Sequence, residues 1–456
     1  MENKYSLTFP QKNIWSVEKF FGKSPINTIV GIFKVNKEFD KDICEKAVNK
    51  MVELNDALRI KIVKKANEEV EQYVDKYSYF NVDFFDMSDK NKEELEELEE
   101  KLTVLPFDVI NNKLYYFAIV KVTKTSGYIF VKLHHLVSDA WTFGNVATEL
   151  SEYIDAFTNN TEIVDAKPSY VDFIQSEKEY VNSEKFKKDA EFWQEYLLGV
   201  KEEVGIKEKS GPIDTNAKRY TTKMDTKLNE MVKTYCKENR VSPYTLFMNA
   251  LAIYVHRVTE KSDFVIGTPV LNRSNFKEKK MMGMFVSTMP VRFKIDEEET
   301  FLEMCKKSAS ETMSLFRHQK YPYSMILKEY REKNNVSSNL YSVMVSYQNA
   351  RAEYSDNVKY TTDWRFSTQA QDEFAIHIMD MDETGVLQVH FDYLTSLYSD
   401  VEVEYISKRI FEIIYDGISR NAKIKDIEIM PKEEKDIILS KFNDTCVDYP
   451  QNASII

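Results

Sequence analysis

Hydrophobic residues follow two different spacings along the chain, and the changes between them predict alternating strands and helices. In the first third, four segments are continuously apolar or alternate apolar with polar residues, as strands do: 28–35, 58–63, 114–122 and 127–133. Residues 41–54 and 138–157 instead place apolar side chains three or four positions apart, as on one face of a helix. The glutamate-rich segment 90–101 is predicted to be a solvated helix.

The second half repeats this mixed pattern. A long polar helix, 176–198, is expected to lead into it. Further helices are predicted at 243–257, 301–319 and 401–418, and further strands at 264–268, 343–348, 375–380 and 386–393, the last after a turn at 382–385. The chain has 456 residues, no short-period repeat and no glycine-rich phosphate loop. Two α/β halves of similar plan are therefore expected, rather than a solenoid or a nucleotide-binding fold.

Composition and charge argue against several classes of function. Hydrophobic residues make up 43% and charged residues 30%, the balance of a globular protein. The formal charge of −12 argues against nonspecific binding of nucleic acid and against anchoring to anionic lipid. No apolar run is long enough to span a bilayer, and the segment 245–255 is expected to be a buried helix. No signal peptide follows Met1, so a cytoplasmic protein is expected, monomeric as an isolated domain.

The cysteines are expected to be reduced and mostly buried. Cys44, Cys236, Cys305 and Cys446 lie far apart, and none has the spacing of a metal or redox motif. Neither a metal site nor thiol catalysis is predicted.

The run His134-His135-Leu136-Val137-Ser138-Asp139 is the main candidate for chemistry. A strand at 128–135 places His135 at the end of a row whose other members are apolar, so its imidazole should be buried. Burial should lower its pKa and leave it neutral at pH 7, with one nitrogen able to accept a proton. Asp139 either caps the following helix or holds a cation; local sequence leaves both open.

The pattern HHxxxD, followed by a small residue, resembles the signature of condensation domains of nonribosomal peptide synthetases, members of the chloramphenicol acetyltransferase-like superfamily. Other segments resemble this family in the same order along the chain. In the first half these are LTFPQKNIW (7–15), NDALR (55–59), LPFD (105–108) and YVDF (170–173). In the second half they are IGTPVLNR (266–273), MGMFVST (282–288), HQKYPY (318–323), VMVSYQN (343–349) and a linker-like FNDT (442–445) with DYP (448–450).

The chain departs from the family pattern at two positions. Ala140 stands where glycine is usual, so either this position does not require a positive φ or the loop is reshaped. Ser287 stands where asparagine is commoner. Neither change removes a side chain that the reaction would obviously need.

The resemblance implies an α/β fold of two chloramphenicol acetyltransferase-like halves that form a V-shaped pseudo-dimer with a central tunnel. Residues 1–170 would form the half with the histidine motif, 171–430 the second half, and 431–456 the start of a linker to an adenylation domain.

The activity implied is amide-bond formation between an acyl thioester donor and an aminoacyl group on a peptidyl carrier protein. The domain itself would bind no cofactor; the 4′-phosphopantetheine arms of carrier domains, or acyl-coenzyme A, would bring the substrates. His135 would receive or position the amine proton, or stabilise the tetrahedral intermediate. His134 would orient the loop, and Asp139 would pair with a buried Arg273. The Ala140 N–H is a candidate oxyanion donor, Trp141 belongs to the core or the tunnel, and Ser287 and Gln348 are further tunnel candidates.

Within the family, a starter domain that acylates the first amino acid of a lipopeptide is favoured. Residues 15–21 and 27–31 resemble lipoinitiating members, and the first motif begins within ten residues of Met1. The donor would then be an acyl-coenzyme A or acyl carrier protein thioester. The main alternative is a peptide-elongating domain with a peptidyl-carrier donor. A non-catalytic recruitment platform is less favoured because His135 is retained, a stand-alone acyltransferase because of the linker-like tail, and an epimerase because no second-half glutamate motif is found.

Overall fold

The structure is a computed structural model that describes residues 3–66, 69–163, 166–208, 214–349, 351–380, 385–442 and 444. Its α/β class confirms the fold predicted from sequence. The described strands are β1 Lys4–Ser6, β2 Thr28–Val35, β3 Ile60–Lys64, β4 Val70–Val74, β5 Asp83–Asp86, β6 Tyr115–Lys121, β7 Gly127–His134, β8 Ala217–Lys223, β9 Asp263–Val270, β10 Ser287–Lys294, β11 Val343–Gln348, β12 Tyr360–Arg365, β13 Phe374–Met379 and β14 Gln388–Leu394.

The helices cover the faces of the sheets that these strands form. They are α1 Phe9–Phe21, α2 Lys41–Leu54, α3 Lys92–Val104, α4 Ala140–Asn159, α5 Tyr170–Val181, α6 Glu184–Tyr196, α7 Thr226–Asn239, α8 Pro243–Thr259, α9 Phe276–Lys279, α10 Phe301–Phe316, α11 Tyr323–Asn334, α12 Asp400–Arg420 and α13 Lys432–Asp436. In the parts of the chain that the structure covers, no helix is both long enough and apolar enough to cross a bilayer.

The first large sheet has the order β12-β2-β7-β6-β5, and a small sheet β1-β4-β3 accompanies it. Strands β2, β7 and β6 are antiparallel neighbours, and β2 pairs His134 with Thr28. Strand β12 reaches this sheet from late in the chain and pairs antiparallel with β2, from Tyr360 opposite Val35 to Arg365 opposite Val30. The sheet that carries the histidine motif therefore includes a strand from beyond residue 359.

The second large sheet has the order β10-β9-β11-β13-β14-β8. Strand β11 runs parallel to both of its neighbours, whereas the other pairs are antiparallel. One face of this sheet packs Val345, Ile376 and Phe391 into a core shared with α8 and α12. Because side chains alternate along a strand, the neighbouring residues of these strands project from the opposite face.

Strand β7 is buried on both of its faces. Ile129, Val131 and Leu133 belong to the core formed with α2 and α4. Tyr128 and Phe130 belong to a smaller cluster beneath α3, where the buried Lys132 Nζ donates to the Leu102 carbonyl at 2.7 Å. A central strand covered on both sides holds the motif that follows it on a rigid base.

One predicted element is wrong. The single helix expected at 176–198 is two helices, α5 and α6, and α5 begins earlier, at Tyr170. The break falls at Ser183, whose hydroxyl accepts a hydrogen bond from the Phe186 N–H at 3.2 Å and so caps α6. Most of the turn predicted at 382–385 and of the linker-like residues 442–450 lies outside the described residues, as does Cys446; Cys44, Cys236 and Cys305 are free thiols.

Candidate active site

The histidine motif forms the turn between the end of β7 and the start of α4. The turn closes on the His134 carbonyl, which accepts hydrogen bonds from the Val137 N–H at 3.0 Å and from the Ser138 hydroxyl at 3.0 Å. Asp139 then caps α4 by accepting from the Thr142 N–H at 2.8 Å. Local hydrogen bonds therefore set the path of the chain between the two histidines and the helix.

Both ring nitrogens of His134 contact neighbouring groups. Its Nδ1 accepts from the Leu136 N–H at 3.1 Å, so the proton of the neutral ring is on Nε2, which lies 3.3 Å from Glu18 Oε2. Burial raises the pKa of Glu18, but hydrogen bonds from His134 and Asn27 outweigh it, so this pKa is lowered and the carboxylate stays charged. A buried imidazole held in this way orients the loop and has no lone pair left for substrate.

His135 is arranged differently. Its Nδ1 lies 3.2 Å from the Ser138 carbonyl oxygen, and because a carbonyl only accepts, the ring proton belongs on Nδ1 and the lone pair on Nε2. Burial, with a smaller contribution from His134, lowers the pKa of His135 to about 4. The imidazole is therefore neutral at pH 7.

Asp139 fills both roles that the sequence left open. In addition to capping α4, its carboxylate accepts from Arg273 Nη1 at 2.7 Å and from Nη2 at 3.0 Å, and both side chains are essentially inaccessible to solvent. The N–H groups of Phe285 and Val286 also donate to it, at 3.0 and 3.3 Å. Burial raises the pKa of Asp139, but the charge and hydrogen bonds of Arg273, with those backbone donors, lower it overall.

The clamp, by which we mean the Asp139–Arg273 pair and the groups bonded to it, also includes three residues that the sequence analysis did not assign to the site. Thr142 Oγ1 lies 3.0 Å from Asp139 Oδ1 and also accepts from the Gly283 N–H at 3.0 Å. Gly283 has φ +136°, and a Cβ there would lie 2.3 Å from the Tyr170 ring, so only glycine fits. Tyr170 in turn donates to the Met284 carbonyl at 2.7 Å. The 282–288 segment was recognised from sequence, but the reason for its glycine was not.

Ala140 and Trp141 form the first turn of α4 beside these groups. Ala140 is absent from the positive-φ residues of the described chain, so this position does not need the freedom of glycine. Trp141 is half-buried rather than part of a core cluster, and its Nε1–H donates to the Lys279 carbonyl at 2.8 Å. The core placement considered for Trp141 is therefore wrong, and the alternative, a position lining a cavity, is what the structure has.

Two cavities meet at His135. Cavity A, of about 390 Å³, lies between the two large sheets and is lined by Ala140, Trp141 and Gln348 among others. Cavity B, of about 820 Å³, is lined by α1, α11 and the start of β10, including Ser287. Among the residues that the structure describes, their walls share seven: Ile26, His135, Pro269, Met284, Val286, Met344 and His377. The structure thus brings His135 to the junction of two chambers.

This arrangement suits a reaction between two partners, one in each cavity. A neutral imidazole at the junction can accept a hydrogen bond or a proton from a nucleophile in one cavity as it attacks an electrophile in the other. In the described part of the chain, no group of three or more His, Cys, Asp or Glu residues could hold a metal ion.

The sequence and the fold of the chain are similar to those of known proteins. A family model described as the condensation domain matches residues 1–439. Surfactin synthase subunit 1 of Bacillus subtilis (strain 168) is 29% identical over 99% of the chain, and a plipastatin synthase protein of the same organism is 26% identical over 97%. The chain spans only 13% and 18% of the lengths of these two relatives.

Solved structures show the same fold. The starter condensation domain of a rhizomide synthetase, in complex with C8-CoA, matches with a TM-score of 0.83 at 18% identity, over 94% of this chain and 98% of that one. The first condensation domain of the calcium-dependent antibiotic synthetase matches with a TM-score of 0.81 at 14% identity, over 93% and 100%.

Proposed function

The chain belongs to the condensation-domain family, whose members form amide bonds, and from this premise we propose that it N-acylates the first amino acid of a lipopeptide. In this proposal the acceptor is an aminoacyl group on the phosphopantetheine arm of a carrier protein. The donor is an acyl-coenzyme A or acyl carrier protein thioester, an adenylation domain follows in the same synthetase, and the reaction takes place in the cytoplasm. The observation that carries the proposal is the placement of His135 at the junction of cavities A and B.

The reaction requires the protein mainly to position the two substrates and to assist proton transfer. The amine nitrogen attacks the thioester carbonyl carbon, the C–S bond breaks, and the proton lost by the amine balances the proton gained by the thiolate. A pKa of about 4 makes His135 a weak base but keeps it neutral, so it can accept a hydrogen bond from the amine throughout the neutral pH range. We therefore assign His135 to positioning the amine and easing the loss of its proton, and assign His134 and Asp139 to holding His135 in place.

The walls of cavity A favour an acyl donor. Part of the wall is apolar or aromatic, with Trp364, Phe366, Met344 and Met379, and polar side chains such as Gln348 and Gln369 line the rest. The apolar side chains gain free energy by covering an alkyl chain. The rhizomide starter domain was solved with C8-CoA, and we propose a donor of the same class here.

A single-turnover assay tests this function. C8-CoA and a panel of aminoacyl carrier proteins are mixed with the wild type and with His135→Gln, and N-acyl product is followed by mass spectrometry. We expect product from the wild type and a loss of about 10²–10⁴-fold in the variant, the usual range for a residue that assists proton transfer. His134→Gln should lose less activity than His135→Gln, because His134 acts only by holding the loop.

Two results would contradict parts of the proposal. Product formed at an undiminished rate by His135→Gln would exclude its role. Product from a peptidyl carrier donor, with none from C8-CoA, would replace the starter assignment with peptide elongation.

A further inference from the structure

The junction of cavities A and B contains a second polar residue. Of the seven residues shared by the two walls, five are apolar and only His135 and His377 have polar side chains. His377 lies on β13, in the sheet that faces the histidine motif across the cavities, and its side chain is 19% exposed. The junction therefore offers a substrate two polar side chains, one from the turn after β7 and one from β13.

His377 belongs to a polar row that crosses the cavity face of the second sheet. The strand register places Ser346, His377, His390 and Thr221 opposite one another on β11, β13, β14 and β8. The adjacent row on the same face places Asp392 opposite Arg219. The other face of these strands packs into the large core. The polar side chains are therefore confined to the face that lines the cavities.

Asp392 orients the His377 ring. Its Oδ2 lies 3.2 Å from His377 Nε2, and its carboxylate also accepts from Arg219 Nε at 2.6 Å and Nη2 at 2.7 Å. Because a carboxylate only accepts, the proton of the neutral His377 ring belongs on Nε2 and the lone pair on Nδ1. Within the described residues Nδ1 has no hydrogen-bond partner. His135 has the mirror arrangement, with Nδ1 held by a carbonyl and Nε2 carrying the lone pair.

We propose that His377 is a second residue that contacts the acceptor amine: its Nδ1 accepts a hydrogen bond from the amine nitrogen, while Asp392 holds its Nε2. The inference rests on the proposed condensation function and adds a partner from the second half of the chain to the reacting nitrogen. A primary amine has more than one N–H, so His135 and His377 can each accept one of them. The attacking lone pair is then directed by two acceptors instead of one.

The polar row also contains a residue suited to serve as a control. His390 is the strand partner of His377, lines cavity A alone, and has its Nδ1 2.8 Å from the Thr221 hydroxyl. It is therefore close to His377 but does not reach the junction. A general effect of altering the polar row should appear in both histidines, whereas contact with the amine should appear only in His377.

The experiment measures donor and acceptor constants separately. C8-CoA serves as donor, and the acceptor is the fastest of a panel of aminoacyl N-acetylcysteamine thioesters. In His377→Gln, which keeps a donor near Asp392 but lacks an acceptor at the Nδ1 position, we expect the acceptor KM to rise about tenfold, the loss of one hydrogen bond, with the donor KM unchanged. His377→Asn, which keeps an acceptor near the Nδ1 position, should fall between Gln and wild type. In His390→Gln the acceptor KM should stay within about twofold of wild type, because His390 lines only cavity A, so any change should fall on the donor KM.

An acceptor analogue that lacks the amine distinguishes a direct contact with the amine from a structural role of His377. The same thioester with hydrogen in place of the amino group is tested as a competitive inhibitor, and its inhibition constant should be the same in the wild type and in His377→Gln. An equal rise for substrate and analogue, an unchanged acceptor KM in His377→Gln, or a larger defect in Asn than in Gln would overturn the inference alone. A wild type that forms no amide with any donor and acceptor would overturn the proposed function and this inference with it.

Discussion

The two walls that meet at the junction hold their carboxylates in different ways. On the wall of the histidine motif, Asp139 receives donors from Arg273, Thr142 and the 285–286 backbone, and the ion pair is sealed from solvent. On the opposite wall, the Asp392 side chain is also buried, at 7% exposed, but its partner Arg219 is 22% exposed. The first carboxylate joins loops that are far apart in the chain, whereas the second joins neighbouring strands of one sheet.

This difference indicates which residues can be changed without losing the fold. A sealed ion pair that loses one partner leaves a charge in the interior, so a defect at Asp139 or Arg273 would reflect folding before chemistry. The loss should cost less where one partner is partly solvated and the carboxylate has a second contact, as Asp392 has with His377. The wall of the polar row is therefore the better place to test chemistry by substitution.

The largest expected effect is the loss of the sealed pair. Asp139→Ala and Arg273→Ala should each lower the free energy of unfolding by about 3–5 kcal/mol, because each leaves the other charge buried and unpaired. We expect poorly soluble or unfolded protein, measured by expression level and thermal melting. Lys408→Ala removes a partner from the exposed pair with Glu404 and should cost about 0.5 kcal/mol or less. Normal melts for both of the first variants would show that the pair does not support the fold.

The glycine of the clamp comes next. Gly283→Ala should lower the free energy of unfolding by about 2–3 kcal/mol, since it combines a disfavoured backbone conformation with a clash against the Tyr170 ring. Gly385→Ala is the matched control: it also has positive φ, but a Cβ there meets only the flexible end of Lys233, so about 1 kcal/mol is expected. Equal urea midpoints for the two variants would mean that the contact with Tyr170 is unimportant.

The half-buried His135 imidazole should make stability depend on pH. The pKa of His135 is about 4 in the fold and about 6.5 in an unfolded chain. The unfolded state therefore binds the extra proton first, and stability falls as pH drops from about 6.5 towards 4, by up to about 2–3 kcal/mol. Urea titrations at pH 7 and pH 4 should show a smaller decline for His135→Gln than for the wild type. An identical decline would mean that the imidazole is not desolvated. His390→Gln should also reduce the decline, because the pKa of His390 is likewise lowered to about 4.

The smallest effect is expected on the opposite wall. Arg219→Gln should lower the free energy of unfolding by about 1–2 kcal/mol, less than the loss of the sealed pair, because Arg219 is partly solvated and the buried Asp392 keeps its contact with His377. Differential scanning calorimetry should show a folded protein with a slightly lower Tm. A loss as large as that of Arg273→Ala would remove the contrast between the two walls.

Much of the site could be predicted from the sequence. From the family-like segments we predicted that Asp139 pairs with Arg273 next to His135. The structure has this ion pair, and it places His135 in the turn that leads to Asp139. Periodicity located most strands and helices, with β2 and α2 at their predicted bounds. The helix predicted at 176–198 failed because Ser183 was read as one more polar residue on a helix face, although its hydroxyl caps a new helix.

The tertiary structure alone decided the environment of each group. The alternation along β13 shows that His377 faces away from the core, but the sequence does not tell which strand lies beside it or that its face lines both cavities. The same holds for Gly283, whose φ and contact with Tyr170 depend on a loop from the second half packing against α5. Local hydrogen bonds and apolar spacing act over a few residues and can be seen in the sequence. Contacts between residues more than a hundred positions apart exist only after the sheets have packed, so only the folded chain determines them.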